Sequence, residues 1–340
     1  MLSFNNDYSE GAHPKILDAL INTNFLQTVG YGLDEFCEKA KKTIKNKIKY
    51  ENCDIYFISG GTQTNTIAIS HALKQYEAVI ACRTGHISIH ETGAIESTGH
   101  KVIEVNGKNF KITKQEILEV LERHCDNHTV KPKMVYISNT TELGTHYTKN
   151  EIIEIYNLCK ENNLYLYIDG ARLSSALTVE NNDMLLEDYP KYCDMFYIGG
   201  TKCGALFGEA LIVVNDELKK EMDYTIKQKG GLFAKGRLLG IQFDELFKDN
   251  LYIELGKHSN NMAMKIKEAL VRLGFKLFSD SYSNQIFVSM TKEQIEKISK
   301  EVICSWENKD ENGNSVVRFV TSWATKEEDV DKLISLLETL

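Results

Sequence analysis

Between residues 54 and 215 the chain alternates short apolar runs with longer stretches whose apolar residues recur every three or four positions. Continuous apolar runs are typical of strands buried on both faces, and the longer stretches have the period of amphipathic helices. This repeat predicts an α/β fold with a mostly parallel sheet and helices on both faces. The predicted strands are IYFIS (55–59), AVIAC (78–82), KVIEV (101–105), MVYIS (134–138), LYLYI (164–168), MFYIG (195–199) and ALIVV (210–214).

The pattern changes towards the C-terminus. ALIVV follows MFYIG too closely for a helical crossover, so this strand is predicted to be antiparallel. A long helix from about 249 to 273 comes next, and a smaller α+β domain is predicted after it, with strands near 285–289, 302–306 and 316–321 and helices at about 292–300 and 326–339. The 340 residues exceed the roughly 250–300 at which single cores tend to divide, so we expect two domains, 1–248 with an N-terminal segment 1–30, and 249–340.

Composition excludes several functional classes. The net charge of −8 and the lack of a basic stripe argue against nucleic acid or an anionic membrane as the main partner. No segment has the apolar length of a membrane helix, and the start has no signal-peptide pattern, so a cytoplasmic protein is expected. The eight cysteines form no C-x-x-C pair and no histidines cluster at ligand spacing, so we predict reduced cysteines and no metal site.

Two charged residues follow predicted buried strands. Asp169 comes directly after LYLYI, and Lys202 lies three residues after MFYIG. Ligands of parallel α/β sheets bind outside the carboxyl ends of the strands, which is where both residues are placed. The plain alternative is that Asp169 caps the next segment and Lys202 is solvated, as most aspartates and lysines are.

A third feature weakens that alternative. Gly60, Gly61 and Thr62 stand between a predicted strand and a predicted helix, where unpaired N–H groups and the positive helix end can hold a phosphate. The same residues also make an ordinary turn and helix cap. They match neither the dinucleotide fingerprint nor the P-loop.

A phosphate site, a carboxylate and an amine are together the requirements of pyridoxal 5'-phosphate. This cofactor needs a lysine for its aldehyde, an acid that keeps its ring nitrogen protonated, and an anion site. His86, in CRTGHISIHETGA, is then a candidate ring to stack on the cofactor, the alternative being a loop histidine with no special role.

Four longer motifs resemble one known family. GHISIHETGAIESTGHKV (85–102), YIDGARLSSAL (167–177), YIGGTKCGALFGEALIVVN (197–215) and VRFVTSWAT (317–325) are similar to the threonine aldolase and β-eliminating lyase family of fold-type-I pyridoxal-phosphate enzymes. The similarity extends from Ser9 to the C-terminal helix. It implies a transferase-like fold and retro-aldol cleavage of a β-hydroxy-α-amino acid, such as L-threonine or L-allo-threonine, to glycine and an aldehyde.

The resemblance also implies residue roles. Lys202 would attach the cofactor, Asp169 would pair with its ring nitrogen, and His86 would stack on the ring and serve as a base unless an ordered water does. The further implied cofactor contacts are Gly61, Thr62, Thr201 and Arg172, of which Arg172 also lies near the substrate carboxylate.

Substrate and subunit contacts follow in the same way. Ser9 and Arg318 match the residues that hold the substrate carboxylate, and a planar guanidinium suits that contact. The alternative for Arg318 is a strand arginine paired with a surface glutamate. Tyr31 and Lys235 match residues that reach a neighbouring subunit's site, so a homodimer or homotetramer with interfacial active sites is expected.

One departure from the family pattern concerns the substrate. Many threonine aldolases carry Asn-Thr-His after the strand that matches MVYIS, whereas this chain has Thr141 in place of the histidine. His90 and His146 are candidates to substitute for it. Two other readings therefore stay open, namely a pyridoxal-phosphate lyase that eliminates at Cβ or acts on another bond, and a binding protein without turnover.

Overall fold

The structure, a computed structural model, describes residues 1–340 except for the side chains of residues 307 and 308. Its strands are β1 (Leu2–Ser3), β2 (Asp54–Ile58), β3 (Glu77–Cys82), β4 (Lys101–Val105), β5 (Lys131–Ser138), β6 (Tyr165–Asp169), β7 (Met195–Gly199), β8 (Glu209–Val213), β9 (Gln285–Met290), β10 (Val302–Ile303), β11 (Ser305–Lys309) and β12 (Ser315–Val320).

The helices alternate with these strands in the first two thirds of the chain. They are α1 (Pro14–Thr23), α2 (Glu35–Ile48), α3 (Gly61–Ala72), α4 (His86–Ile89), α5 (Lys114–Arg123), α6 (Lys149–Glu161), α7 (Leu173–Ala176), α8 (Asp216–Lys219), α9 (Met222–Gln228), α10 (Arg237–Lys248), α11 (Leu251–Arg272), α12 (Lys292–Ile298) and α13 (Glu327–Leu337).

A seven-stranded sheet in the order β2-β8-β7-β6-β5-β3-β4 forms the centre of the larger part. Only β8 runs against its neighbours β2 and β7, as the short connection before it predicted. The predicted strand bounds are confirmed to within one residue, except that β5 begins three residues earlier. Strands β3, β7 and β8 are buried along their whole length, and apolar clusters lie on both faces of the sheet.

Two of the helices that cover the sheet begin with capping boxes. In α5 the Thr113 hydroxyl accepts from the Glu116 N–H and the Glu116 carboxylate accepts from the Thr113 N–H, and Thr148 and Glu151 make the same pair of contacts in α6. Helix α10 lies directly on α2, and Gly240 permits the approach, since a Cβ there would lie 2.7 Å from the backbone nitrogen of Cys37. The large sheet thus has a rigid layer behind it.

The C-terminal part has its own antiparallel sheet, β11-β12-β9, covered by α11 and α13. A third apolar cluster lies between them and includes Phe4 near the N-terminus. Strand β1 pairs with β10, so the first residues of the chain lie against the C-terminal part. The predicted domain boundary between residues 248 and 249 remains a prediction. Within the described residues, no helix is both long and apolar enough to cross a bilayer.

Candidate active site

A cavity of about 230 Å³ opens at the carboxyl ends of the parallel strands. Residues that follow β2, β3, β5, β6 and β7 converge on it, together with the first residue of the antiparallel β8. The convergence follows from strand direction, because parallel strands present their carboxyl ends at one edge. Its lining is Tyr8, Ser59, Gly60, Gly61, Thr62, His86, Ser138, Thr140, Glu142, Asp169, Ala171, Arg172, Tyr197, Thr201, Lys202 and Glu209.

Lys202 lies in the turn between β7 and β8 and lines this cavity. Burial lowers the pKa of its amine, and the positive charge of Arg172 lowers the pKa further, against the opposing charges of Asp7 and Asp169. A lowered pKa increases the neutral fraction of the amine, which is the nucleophilic form. The amine is therefore suited to attack a carbonyl.

Glu209 holds the backbone just before Lys202. Its carboxylate accepts hydrogen bonds from the Gly200 N–H at 2.9 Å and the Thr201 hydroxyl at 2.8 Å. Burial raises the pKa of Glu209 to about 7. The sequence predicts that Thr201 contacts the cofactor. The structure places Thr201 in the lining of the cavity, with its hydroxyl bonded to Glu209.

Asp169 ends β6 and is buried, with 3% of its surface exposed. One carboxylate oxygen accepts from the Ala171 N–H at 2.9 Å; the other accepts from the Tyr136 hydroxyl at 2.6 Å and the Asn65 amide at 3.1 Å. Gly170 follows it and lies so close to β7 that an added Cβ would be 1.9 Å from the Tyr197 carbonyl. The Gly199 N–H donates to the Gly170 carbonyl at 2.9 Å, which joins the end of β7 to the residue after Asp169.

Helix α3 points its N-terminus at the same cavity. Its N-cap, Gly60, is extended and provides no side chain to cap the first turn. A Cβ added to Gly60 would meet no atom within 4 Å, and one added to Gly61 would lie 3.2 Å from the Tyr197 hydroxyl. Free N–H groups in an open cradle at a helix N-terminus suit an anion.

Arg172 lies beside Lys202 and is held by a partner that the sequence did not predict. Its Nε and Nη2 donate to the two oxygens of Asp7 at 2.7 and 3.0 Å. Asp7 is 1% exposed and also accepts from the Asn284 amide at 2.9 Å. The Arg172 guanidinium keeps the pKa of Asp7 low despite burial. Asp7 therefore fixes the orientation of Arg172 in the cavity.

His86 lines the cavity from the start of α4. Its Nδ1 shares a 2.7 Å hydrogen bond with Glu91, which also accepts from the Asn65 amide. Asn65 therefore links the His86–Glu91 pair to Asp169. The sequence did not predict this chain of polar contacts, because Asn65 lies within a helical stretch.

Thr141 is directed away from the cavity, and its hydroxyl is shared with that of Thr145 at 2.8 Å. The neighbouring Thr140 and Glu142 line the cavity instead. His90 and His146 lie outside its lining; His146 packs its ring against Tyr282.

The remaining predicted residues also lie outside this lining. Ser9 donates to Asn6, and Arg318 donates from Nε to Ser305 and from Nη2 to the Asn5 carbonyl. Tyr31 and Lys235 belong to two exposed segments joined by a hydrogen bond from the Tyr31 N–H to the Ala234 carbonyl. Their predicted roles remain predictions.

The sequence missed Asp7, Tyr136, Glu142 and Glu209 as members of this site. All four depend on contacts between distant segments or on which side of a turn faces inward. The one available signal was position, since Glu142 follows a strand end and Glu209 begins a strand.

The donor set fits pyridoxal phosphate. Lys202 offers an amine for the aldehyde, Asp169 a carboxylate for the ring nitrogen, and the first turn of α3 its N–H groups for the phosphate. Fold and site together define a pyridoxal-phosphate-dependent enzyme of fold type I.

The chain belongs to the β-eliminating lyase family, whose model matches residues 10–293. It is 30% identical to the low specificity L-threonine aldolase of Pseudomonas sp. (strain NCIMB 10558) over 97% of this chain and 95% of that protein. A solved structure of Leishmania major threonine aldolase is 48% identical and covers 100% of this chain and 99% of that one, with a TM-score of 0.98.

Fold similarity extends further. The histidinol-phosphate aminotransferase of Clostridium acetobutylicum has 17% identity and a TM-score of 0.73 over 100% of this chain and 98% of that one, a likeness in fold alone. Family membership, and not this likeness in fold, makes the protein a pyridoxal-phosphate-dependent lyase, as its sequence predicted.

Proposed function

We propose that the protein cleaves β-hydroxy-α-amino acids, with L-threonine or L-allo-threonine as substrate, to glycine and an aldehyde. The observation that carries this proposal is the convergence of Lys202, Asp169 and the N-terminus of α3 on one cavity. The threonine aldolases of Pseudomonas and Leishmania, which match nearly the whole chain, support the choice of substrate.

Each residue of the cavity has a separate role towards the cofactor in this proposal. Pyridoxal phosphate, when bound, supplies an electron sink for a bond that breaks at the substrate's Cα. Lys202 would provide the amine that holds the cofactor's aldehyde, and Asp169 would hold a proton on the ring nitrogen. The first turn of α3, with Gly61 and Thr62, would bind the phosphate.

Orientation of the substrate selects which bond breaks. Arg172, held by Asp7, presents a fixed positive charge for the substrate carboxylate. In our proposal Ser9, in the N-terminal segment, and Arg318, in β12, also bind the substrate carboxylate. His86 would stack on the cofactor ring. A substrate carboxylate held in one place would limit the orientations open to the Cα–Cβ bond.

The first prediction is a product assay. Incubated with L-threonine and pyridoxal phosphate, the purified protein should release glycine and acetaldehyde in equal amounts, with L-allo-threonine tested in parallel. Release of ammonia and a keto acid would instead support elimination at Cβ, which is the reaction that gives the family its name. A protein that binds the cofactor and turns over neither substrate would contradict both lyase readings.

A homodimer or homotetramer with active sites at the subunit interface is part of this proposal. The segment from α1 to α2 carries exposed apolar side chains that a second copy of the chain would cover. They are Ile21, Phe25, Leu26, Val29 and Leu33. Tyr31 lies within this segment and Lys235 beside it, so both would reach the partner's cavity.

A role in cytoplasmic threonine catabolism completes the proposal. All eight cysteines are free thiols and seven of them are buried, which is usual for proteins of a reducing compartment. Glycine and an aldehyde are the products that such a reaction would supply.

A further inference from the structure

Glu142 differs from the other acidic residues of the cavity in how its carboxylate is bonded. It lies a few residues after β5, and its Oε1 accepts from the Ser138 hydroxyl at 2.6 Å and from the His86 N–H at 2.9 Å. Among the described residues, Ser138 is the one side chain that donates a hydrogen bond to this carboxylate, and it donates to Oε1 and not to Oε2. One oxygen is anchored and the other is available.

Asp7, Asp169 and Glu209 are fully engaged by contrast, and Glu91, whose Oε2 has no hydrogen-bond partner, lies outside the lining of the cavity. Both oxygens of Asp7 face Arg172, both oxygens of Asp169 accept hydrogen bonds, and Glu209 binds Gly200 and Thr201. A carboxylate oxygen that lines a cavity and has no side-chain donor is free to bond a ligand there. Glu142 is therefore the cavity's candidate for exchanging a proton with a ligand.

Its proton affinity suits such a task. Burial raises the pKa of Glu142, and the negative charge of Asp169 raises it further, against the Ser138 hydrogen bond and the His86 charge. A carboxyl group with a pKa nearer to neutrality accepts and returns a proton more readily than an ordinary glutamate.

The histidines are less well placed to act. Nδ1 of His86 is engaged by Glu91, and the proposed function assigns the ring to stacking on the cofactor. His90 and His146 lie outside the lining of the cavity, and Thr141 faces Thr145. We propose that Glu142 is a catalytic residue whose Oε2 takes the proton of the substrate's β-hydroxyl. This inference rests on the proposed aldolase function.

The β-hydroxyl proton passes to Glu142 Oε2, the electron pair of the O–H bond forms the C=O bond of the aldehyde, and the Cα–Cβ bond breaks. The electron pair of that bond stays with the glycine carbon, which later takes up a proton. Glu142 then releases its own proton, so glycine and aldehyde together contain the atoms of the substrate.

The second prediction concerns Glu142→Gln, which keeps an oxygen for Ser138 and His86 but cannot accept the proton. Threonine cleavage by the holoenzyme should fall by ~10²–10⁴-fold, the usual contribution of a general base. Exchange of the glycine α-hydrogen in D₂O, measured by NMR, should stay within about twofold of the wild type, because that reaction has no hydroxyl proton to move. The visible absorbance of the bound cofactor should also persist.

Two further variants make the experiment decisive. Glu119→Gln makes the same chemical change on the exposed face of α5 and should leave cleavage and exchange unchanged. Glu142→Asp keeps a carboxylate and should recover part of the cleavage rate.

The contrary outcomes are distinct. Loss of exchange and absorbance together with cleavage in both Glu142 variants would assign Glu142 a structural role and overturn the inference. So would full cleavage by Glu142→Gln. A wild-type protein that exchanges glycine but cleaves no β-hydroxy amino acid would contradict the proposed function itself, and the inference with it.

Discussion

Lys202 and Asp169 lie at the ends of adjacent strands, and their environments prepare them for different tasks. The carboxylate of Asp169 accepts three hydrogen bonds, which fix its position. The amine of Lys202 has a lowered pKa, because burial and Arg172 disfavour its charge. A fixed carboxylate and a nucleophilic amine thus face the same cavity.

The third prediction tests Lys202 alone. Lys202→Ala should abolish the visible absorbance of covalently held cofactor and reduce turnover at least ~10³-fold, because no other amine lines the described cavity. Absorbance spectra and the glycine assay measure the two effects. Lys220→Ala, an exposed lysine after α8, is the control and should behave as the wild type. Retention of both signals by Lys202→Ala would disprove the assignment.

At the scale of elements, the connection between β7 and β8 determines where the lysine sits. Its first residues are tied to the first residue of β8 by the two hydrogen bonds of Glu209, and the Gly208 N–H donates back to the Thr201 hydroxyl at 3.0 Å. Side-chain hydrogen bonds as well as backbone pairing close this turn, and they fix the position of the backbone next to Lys202.

The fourth prediction is the pH dependence of stability that Glu209 produces. Its pKa is about 7 in the folded chain against an ordinary 4.5, so the unfolded state loses the proton first as pH rises. The contribution of Glu209 to the free energy of unfolding is therefore complete below about pH 4.5 and declines up to about pH 7, by about 3 kcal/mol in all.

Glu209→Gln removes this titration. In urea unfolding of the purified protein, the stability of the variant relative to the wild type should increase between pH 5 and pH 8. Glu119→Gln should show no such trend. A difference between Glu209→Gln and wild type that is constant with pH would contradict the raised pKa.

The sequence predicted most elements but not their contacts. Periodicity located all seven strands of the large sheet, including the antiparallel β8, since apolar patterning is a local property. It predicted one strand at 302–306, where the structure has two, β10 and β11. These two strands are separate because β10 pairs with β1 and β11 pairs with β12. Pairing is decided by parts of the chain far apart in sequence.

On the scale of the whole molecule, several large exposed apolar side chains lie close together in sequence, on the segment from α1 to α2. Phe25 is 95% exposed and Leu33 70% exposed, values that are unusual for large apolar side chains. Both lie on the α1–α2 segment that also carries Tyr31. Closed two-fold symmetry would bring two such segments together and direct each Tyr31 towards the other chain.

The fifth prediction addresses this surface. Light scattering of the wild type should give a mass of two or four chains, and the double variant Phe25→Asp, Leu33→Asp should shift it towards one chain and lower turnover. Val271→Asp, at an exposed apolar position of α11, is the matched control and should keep both mass and activity. Full activity at the mass of one chain would rule out a shared active site.

The sequence by itself determined the α/β class, the family, the cofactor and the placing of Asp169 and Lys202 after neighbouring strands, because these depend on periodicity and on short motifs such as YIDGAR and GGTKCG. Only the tertiary structure decided the pairing of Arg172 with Asp7, the inward position of Glu142 and the outward turn of Thr141. Such contacts join segments up to 165 residues apart or depend on the path of a turn, and no local pattern records them.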